Sequence, residues 1–200
     1  LKQICNHPAL ALSENAVDDG FLGRSAKLQR LEEILDEVIE AGDRALLFTQ
    51  FAEWGHLLQS WMQQRWKADV PFLHGGTRKS ERQAMVDRFQ EDPRGPQLFL
   101  LSLKAGGVGL NLTRASHVFH IDRWWNPAVE NQATDRAYRI GQTNRVMVHK
   151  FITSGSVEEK IDRMIGEKSR LAEDVIGSGE DWLGSLAGDQ LRNLVALEDT

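Results

Sequence analysis

Apolar residues recur at helical spacing over two stretches of the chain and cluster in short blocks over five others. Leu28, Leu31, Ile34, Leu35, Val38 and Ile39 share one helical face with acidic residues opposite, and Gly42-Asp43 ends the pattern. Trp54, Leu57, Leu58, Trp61 and Met62 follow i, i+3, i+4, i+7, i+8, which predicts a second helix with both tryptophans on its core stripe. The blocks Arg44–Gln50, Asp69–Leu73, Gln97–Ser102, His117–Asp122 and Val146–Ile152 read as strands. Ser80-Glu81-Arg82-Gln83 has the form of a capping box opening a helix to about Gln90. Asn126-Pro127 offers an N-cap and a first-turn proline for a helix through about Tyr138. Ser156-Val157-Glu158-Glu159 caps a last helix to about Leu171. Residues 1–20 lack sustained periodicity and carry Asn6-His7-Pro8 and Asp18-Asp19-Gly20, which predicts a connecting segment. From Ile176 onward the chain is acidic and glycine-containing, with a short helix expected near Asp189–Leu197.

Strands that are continuous apolar runs separated by helices predict an α/β domain of doubly wound type, its parallel sheet covered on both faces. Ligands of such sheets bind beyond the carboxyl ends of the strands. Gln50-Phe51, His74–Thr77, Ser102–Asn111 and Asp122–Asn126 fall there. The 41% apolar content of 200 residues suffices for one such core without staples. The single cysteine, Cys5, excludes disulfide frameworks, thiolate zinc sites and iron–sulfur clusters. No apolar run approaches the ~20 residues of a membrane span, and the first residues form no signal peptide and no initiator methionine, so a soluble intracellular piece of a longer chain is expected. The net charge of −5 hides an uneven distribution. From Glu173 onward seven acids face one base, whereas Ser102–Lys150 carries seven bases to three acids. That +4 segment suits a phosphate ligand and equally suits an ordinary solvated surface.

The glycine-rich run from Lys104 to Asn111 could bring bare backbone against phosphate or ribose, although a tight turn explains its glycines more simply. No Gly-Lys dipeptide occurs, so a Walker lysine loop is excluded, and Leu112 stands where a dinucleotide fingerprint needs its third glycine. Gln132, Arg136 and Arg139 at i, i+4, i+7 are predicted to project from one helix face. Two guanidinium forks one turn apart suit a phosphate whose charge grows in a transition state, and a solvated charged face is the other reading. His117 and His120 point to opposite sides of a strand, and no metal site is predicted. Trp124-Trp125 could stack on a base or back a loop.

The ordered blocks LKQICNHP (1–8), RALLFTQF (44–51), FLHGGT (72–77), LLSLKAGGVGLNL (100–112), HVFHIDRWWNPAVENQATDRAYRIGQ (117–142) and VHKFITSGSVEEKI (148–161) together resemble the Swi/Snf family of DNA-dependent ATPases, in helicase superfamily two. Gly179–Leu183 (GEDWL) resembles bacterial members. The resemblance implies the second, C-terminal RecA-like lobe of a two-lobe motor, a three-layer domain with a mainly parallel sheet. Residues 1–20 would then end the linker between lobes, 21–172 form the lobe, and 173–200 form an acidic tail. Arg136 and Arg139 would be arginine fingers; Gly109, Asn111 and Gln132 would face the nucleotide. Gln50, His74, Gly75, Gly76, Ser102 and Lys104 would face the DNA backbone. Leu103 stands where related helicases place a phosphate-contacting threonine, with Ser102 as its substitute. ATP and Mg2+ would be held mainly by the first lobe. The implied partners are double-stranded DNA, that first lobe and DNA-bound protein complexes, with no membrane, in the cytoplasm and on the nucleoid if bacterial. A non-enzymatic binding module on the same fold, or a stand-alone α/β enzyme for a phosphorylated substrate, are the rival readings.

Overall fold

Strand β1 (Ala45–Thr49) lies at the centre of a sheet whose order is β2-β3-β1-β4-β5, with β2 at Phe72–Leu73, β3 at Leu98–Ser102, β4 at His117–His120 and β5 at Met147–Lys150. All four pairings are parallel, in a computed structural model that describes residues 2–106, 109–124, 126–139, 142 and 145–171, less the side chains of 104, 106 and 167–171. The expected helix near Asp189–Leu197, the acidic tail and Trp125 lie outside the described residues.

Period-two alternation divides the core between the two faces of the sheet. Ala45 and Leu47 of β1, with Leu98 and Leu100 of β3, face helices α3 (Ala26–Glu40) and α4 (Ala52–Trp66). Leu46, Phe48, Phe99 and Leu101 face α5 (Lys79–Glu91), the short α6 (Leu103–Gly106) and α7 (Pro127–Thr134). The last described helix, α8 (Val157–Leu171), follows β5. This is the arrangement that the alternation of elements predicts, a parallel sheet with helices on both faces. Buried Trp54, Leu57, Leu58, Trp61 and Met62 confirm the core stripe of α4.

Local sequence explains most boundaries. Ser25 caps α3, its hydroxyl accepting from the Leu28 amide at 3.2 Å, and α3 closes at Gly42 with φ +73°. Asn126 caps α7 by accepting from Ala128 at 2.9 Å, with Pro127 at the first helical position. Three expectations need correction. The Asp69–Leu73 strand shrinks to Phe72–Leu73. Helix α5 starts after Arg78, not Ser80; Glu81, at the third position, accepts from the backbone amide of Arg78, so the acid half of a capping box operates two residues earlier. Residues 1–20 include two short helices, α1 (Lys2–Asn6) and α2 (Pro8–Ala11), of which α2 joins the α3–α4 core through Ala9 and Leu10. Buried His7 holds that junction: its Nδ1 accepts from Ala9, its Nε2 donates to the Phe21 carbonyl at 2.7 Å, and its ring stacks on Phe21 at 4.1 Å.

The amino ends of the strands are closed by arginines. Buried Arg44 donates to the carbonyls of Phe89, Asp92 and Pro93, and Arg114 donates to those of Gln90 and Asp92. Two cations thus satisfy the orphan carbonyls at the end of α5 and oppose its dipole. At the opposite edge Gly55 lets α4 approach the sheet, since a Cβ there would stand 2.1 Å from Cζ of Phe72. Gly55→Ala should therefore cost about 1–3 kcal/mol through overpacking. A urea denaturation midpoint equal to that of the unaltered chain would show that Phe72 moves aside freely.

Candidate functional site

Because the strands run parallel, their carboxyl ends collect along one edge, and the residues expected to face DNA begin there. Gln50 follows β1, His74 follows β2, and Ser102 ends β3 in register with Thr49 of β1. The residues that the family resemblance turns toward DNA thus form a row over three adjacent strands, β2-β3-β1. Gly75 and Gly76 are exposed at its end. The His74 amide donates to Thr77 Oγ1 at 3.0 Å and its Nδ1 accepts from Gly76, shaping a tight loop. Partial burial, then the neighbouring His56, holds the His74 imidazole below its ordinary pKa. Ser102 differs from its neighbours in the row: it is buried, and its hydroxyl accepts from the Ala105 amide at 3.3 Å, serving the start of α6. Lys104 lies on α6, and its side chain is outside the described residues.

The residues expected to face the nucleotide lie at a second place. Helix α7 stops at Thr134, so Arg136 and Arg139 occupy the turns beyond it and do not continue one helical face from Gln132. The reason is tertiary. His120, at the end of β4, bonds Thr134 Oγ1 at 2.9 Å while that hydroxyl donates to the Glu130 carbonyl, so the imidazole contributes its Nε2–H. The Leu112 amide then takes the Arg136 carbonyl at 2.9 Å. These contacts bring the glycine loop and the arginine turn side by side. Arg139 is exposed, and its Nη1 reaches the carbonyl of Gly109 at 3.3 Å, in a loop where Gly109 has φ +40°. Asn111 and Gln132 are exposed beside them in sequence. Arg136 is 3% exposed, and burial, then the Arg139 charge, pulls its guanidinium below the usual value. The two arginines are therefore unequal: one is a buried part of the turn and the other is presented to solvent.

Sequence reading missed the polar framework beneath both places. Asp122 is buried and accepts from Thr49 Oγ1 at 2.6 Å, the Gln50 amide at 3.0 Å and Asn6 Nδ2 at 3.3 Å. Burial pushes its carboxyl pKa up, against the bonds from Thr49 and Gln50. The next residue, Arg123, is 2% exposed and pairs with Glu130 of α7 at 2.7 Å and with Asp162 of α8 at 2.7 Å. Lys27 of α3 and Glu158 of α8 form a second buried pair, 5% and 0% exposed at 2.7 Å. The available signal was an Asp-Arg dipeptide closing an otherwise apolar strand, where ionic groups persist only with partners. Among the described residues no group of three His, Cys, Asp or Glu side chains could hold a metal ion, and no helix is long and apolar enough to cross a membrane.

Residues 26–141 match the helicase conserved C-terminal domain family, which spans more than half of the chain. The chain belongs to that family. It is 48% identical over its full length to YwqA of Bacillus subtilis, which goes by the name of ATP-dependent helicase/translocase, and covers 21% of that relative. The SWI2/SNF2 ATPase core of Sulfolobus solfataricus, solved in complex with double-stranded DNA, superposes on the whole chain with a TM-score of 0.82 and 41% identity, over 41% of its own length. The C-terminal domain of the same ATPase gives a TM-score of 0.79 at 40% identity, with this chain covering 79% of it. The Swi/Snf resemblance and the RecA-like lobe are thereby borne out, a bacterial relative included. The chain spans about a fifth of the length of YwqA.

The acid response of the lobe should reveal His120. Burial, aided by the Lys150 and Arg123 charges, pushes its pKa down to about 3. Above about pH 6.5 the imidazole is neutral folded or unfolded; below it only the unfolded chain takes up the proton, so stability falls as pH drops from 6.5 toward 3. The slope should approach about 1.4 kcal/mol per pH unit. His120→Gln keeps a donor for Thr134 and removes the titration, so urea denaturation at pH 7 and pH 5 should show a flatter profile. Parallel profiles for the two proteins would mean that His120 protonates freely in the fold.

Proposed function

We propose that this chain is the second motor lobe of an ATP-dependent double-stranded DNA translocase, supplying arginine fingers and part of the DNA-binding surface. The observation that carries the reading is the meeting of the Arg136–Arg139 turn with the Gly109–Asn111 loop, through the Leu112 amide on the Arg136 carbonyl and Arg139 Nη1 on the Gly109 carbonyl. The comparison with a Sulfolobus ATPase core that binds double-stranded DNA supports the rest.

In this reading ATP and Mg2+ are held by a first lobe carrying the lysine loop. The residues here fit a phosphate-facing role but no metal-holding one, since their polar groups are guanidinium and amide donors. ATP supplies the phosphoryl group whose transfer drives the motion. When the lobes close, Arg139 swings its planar, permanently charged fork from Gly109 to the developing phosphate charge, and buried Arg136 fixes the turn and adds its field. Gly109, Asn111 and Gln132 line the nucleotide side. Gln50, His74, Gly75, Gly76, Ser102 and Lys104 form the DNA side, where backbone amides and small side chains let phosphates approach. Since closure completes the charge environment, hydrolysis is coupled to lobe motion, and reopening advances the DNA. Such a motor works in the compartment that holds the DNA, the cytoplasm, and on the nucleoid if the protein is bacterial.

Arg139→Ala gives the cleaner test, because Arg139 is exposed whereas Arg136 is part of the folded turn. In the full-length two-lobe protein the substitution should lower DNA-stimulated turnover by about 10³–10⁵ with ATP binding nearly retained. Arg139→Lys should not restore the rate, for an ammonium lacks the fork. Near-normal turnover would return the lobe to a binding module.

The chain by itself should release no phosphate from ATP and should bind duplex DNA weakly. Its affinity should fall steeply with salt, with a slope of about −0.9 in log K against log salt for each phosphate neutralised. Titration of labelled duplex at two salt concentrations measures this. A salt-independent, sequence-selective affinity would indicate base readout in place of backbone contact.

A further inference from the structure

Asp122 and Arg123 are adjacent residues that face two different parts of the machine. Asp122 receives the backbone amide of Gln50 on the DNA side, and Arg123 grips Glu130 on the helix that leads to the arginine turn. Glu130 also accepts from the Trp124 amide at 3.0 Å, so α7 is fixed to the chain leaving β4 at two points.

The opening helix α1 is bound to this dipeptide from the other side. Asn6 is fully buried and uses both ends of its amide: Nδ2 donates to Asp122, and Oδ1 accepts from Lys27 Nζ at 3.0 Å. Lys27 passes on to both oxygens of Glu158, at 2.8 and 2.7 Å, and Glu158 holds the Thr153 amide ahead of α8. Lys2 Nζ donates to the Arg123 carbonyl at 2.9 Å, the carbonyl that also accepts from Gln50 Nε2 at 3.3 Å. One buried amide therefore joins α1, α3, α8 and the carboxyl ends of β1 and β4. No neighbouring bond in this chain can reverse alone, because an amide offers a donor on one end and an acceptor on the other.

We propose that Asn6 is a positioning residue that transmits displacement of the opening segment, through Asp122-Arg123, to the DNA-side residue Gln50 and to the arginine turn after α7. The inference rests on the motor reading above, in which residues 1–20 end the linker between lobes. A linker helix bound to that dipeptide moves the DNA contact and the arginine turn together, so both working surfaces respond to one input. Asn6 touches neither nucleotide nor DNA in this scheme.

A reversed hydrogen bond provides the test. Asn6→Asp sets one carboxylate against another, and Asp122→Asn sets one amide nitrogen against another. The double change N6D/D122N restores donor against acceptor, keeps an oxygen for Lys27, and keeps an acceptor for the Gln50 amide, with the Thr49 hydroxyl turning to accept. Steady-state ATP turnover of the full-length two-lobe protein, with and without duplex DNA, is measured beside thermal melting. Each single change should lower the ratio of DNA-stimulated to basal turnover by about tenfold while basal turnover per folded molecule and ATP KM stay near their original values. The double change should recover the ratio. Lys2→Met, at a partly exposed position, should give a smaller loss of the same kind in a protein that melts nearly as before. A ratio unchanged in N6D and Lys2→Met, or basal and stimulated rates falling in proportion to lost folding, would overturn the inference alone. An unaltered protein whose turnover does not respond to DNA would overturn the motor reading and the inference with it.

Discussion

A carboxylate buried at the end of a parallel strand must be surrounded by donors or it will not stay ionised, and Asp122 imposes that condition on everything around it. Thr49 and Gln50 supply donors from β1 and Asn6 supplies one from α1. Arg123, next along, needs acids, and takes them from α7 and α8. The leading helices, the central strand and the two last helices are thus placed relative to one another by bonds that apolar packing alone would not specify. Removing one partner of a buried ion pair typically costs about 3–5 kcal/mol, so this framework resists piecemeal change. Its members report on register as much as on stability.

The helices α3 and α4 and the strands β1, β3 and β4 were legible because their signal is the burial of one face or of both, which the apolar pattern records directly. Helix α7 shows the limit of that signal. Its helical spacing runs on through Arg136 and Arg139, yet the chain leaves the helix at Thr134, where His120 and the Leu112 amide offer bonds from elsewhere in the fold. Helices α1 and α2 are five and four residues long, too short for a period to show, and are held by His7 and Asn6 rather than by a stripe.

Site residues divide in the same way. Those on strand-end loops, such as Gln50, His74 and Gly109, were placed by the rule that parallel sheets bind at their carboxyl edge. Ser102 was placed correctly along the chain, but its hydroxyl is turned to the Ala105 amide, a rotamer choice that no pattern of residue types records. The Asn6–Lys27–Glu158 chain unites positions 6, 27 and 158. Only the folded topology brings these together, and each residue read singly is an ordinary surface type.

The arginines at the far edge of the sheet give the lobe a polarity of another kind. Arg44 and Arg114 tie the start of the sheet to the end of α5 through backbone carbonyls, which any sequence possesses. Of the α5 side chains Gln90 shares in that closure, accepting from the Arg114 amide at 3.1 Å and donating to Thr113 Oγ1 at 3.0 Å, while the solvent face of α5 can vary without disturbing it. At the carboxyl edge key bonds run from side chain to side chain, among them Asn6–Asp122, Thr49–Asp122 and Arg123–Glu130, and there a substitution needs an answering one. Divergence among lobes of this build should therefore be gradual at one rim of the sheet and proceed in paired steps at the other.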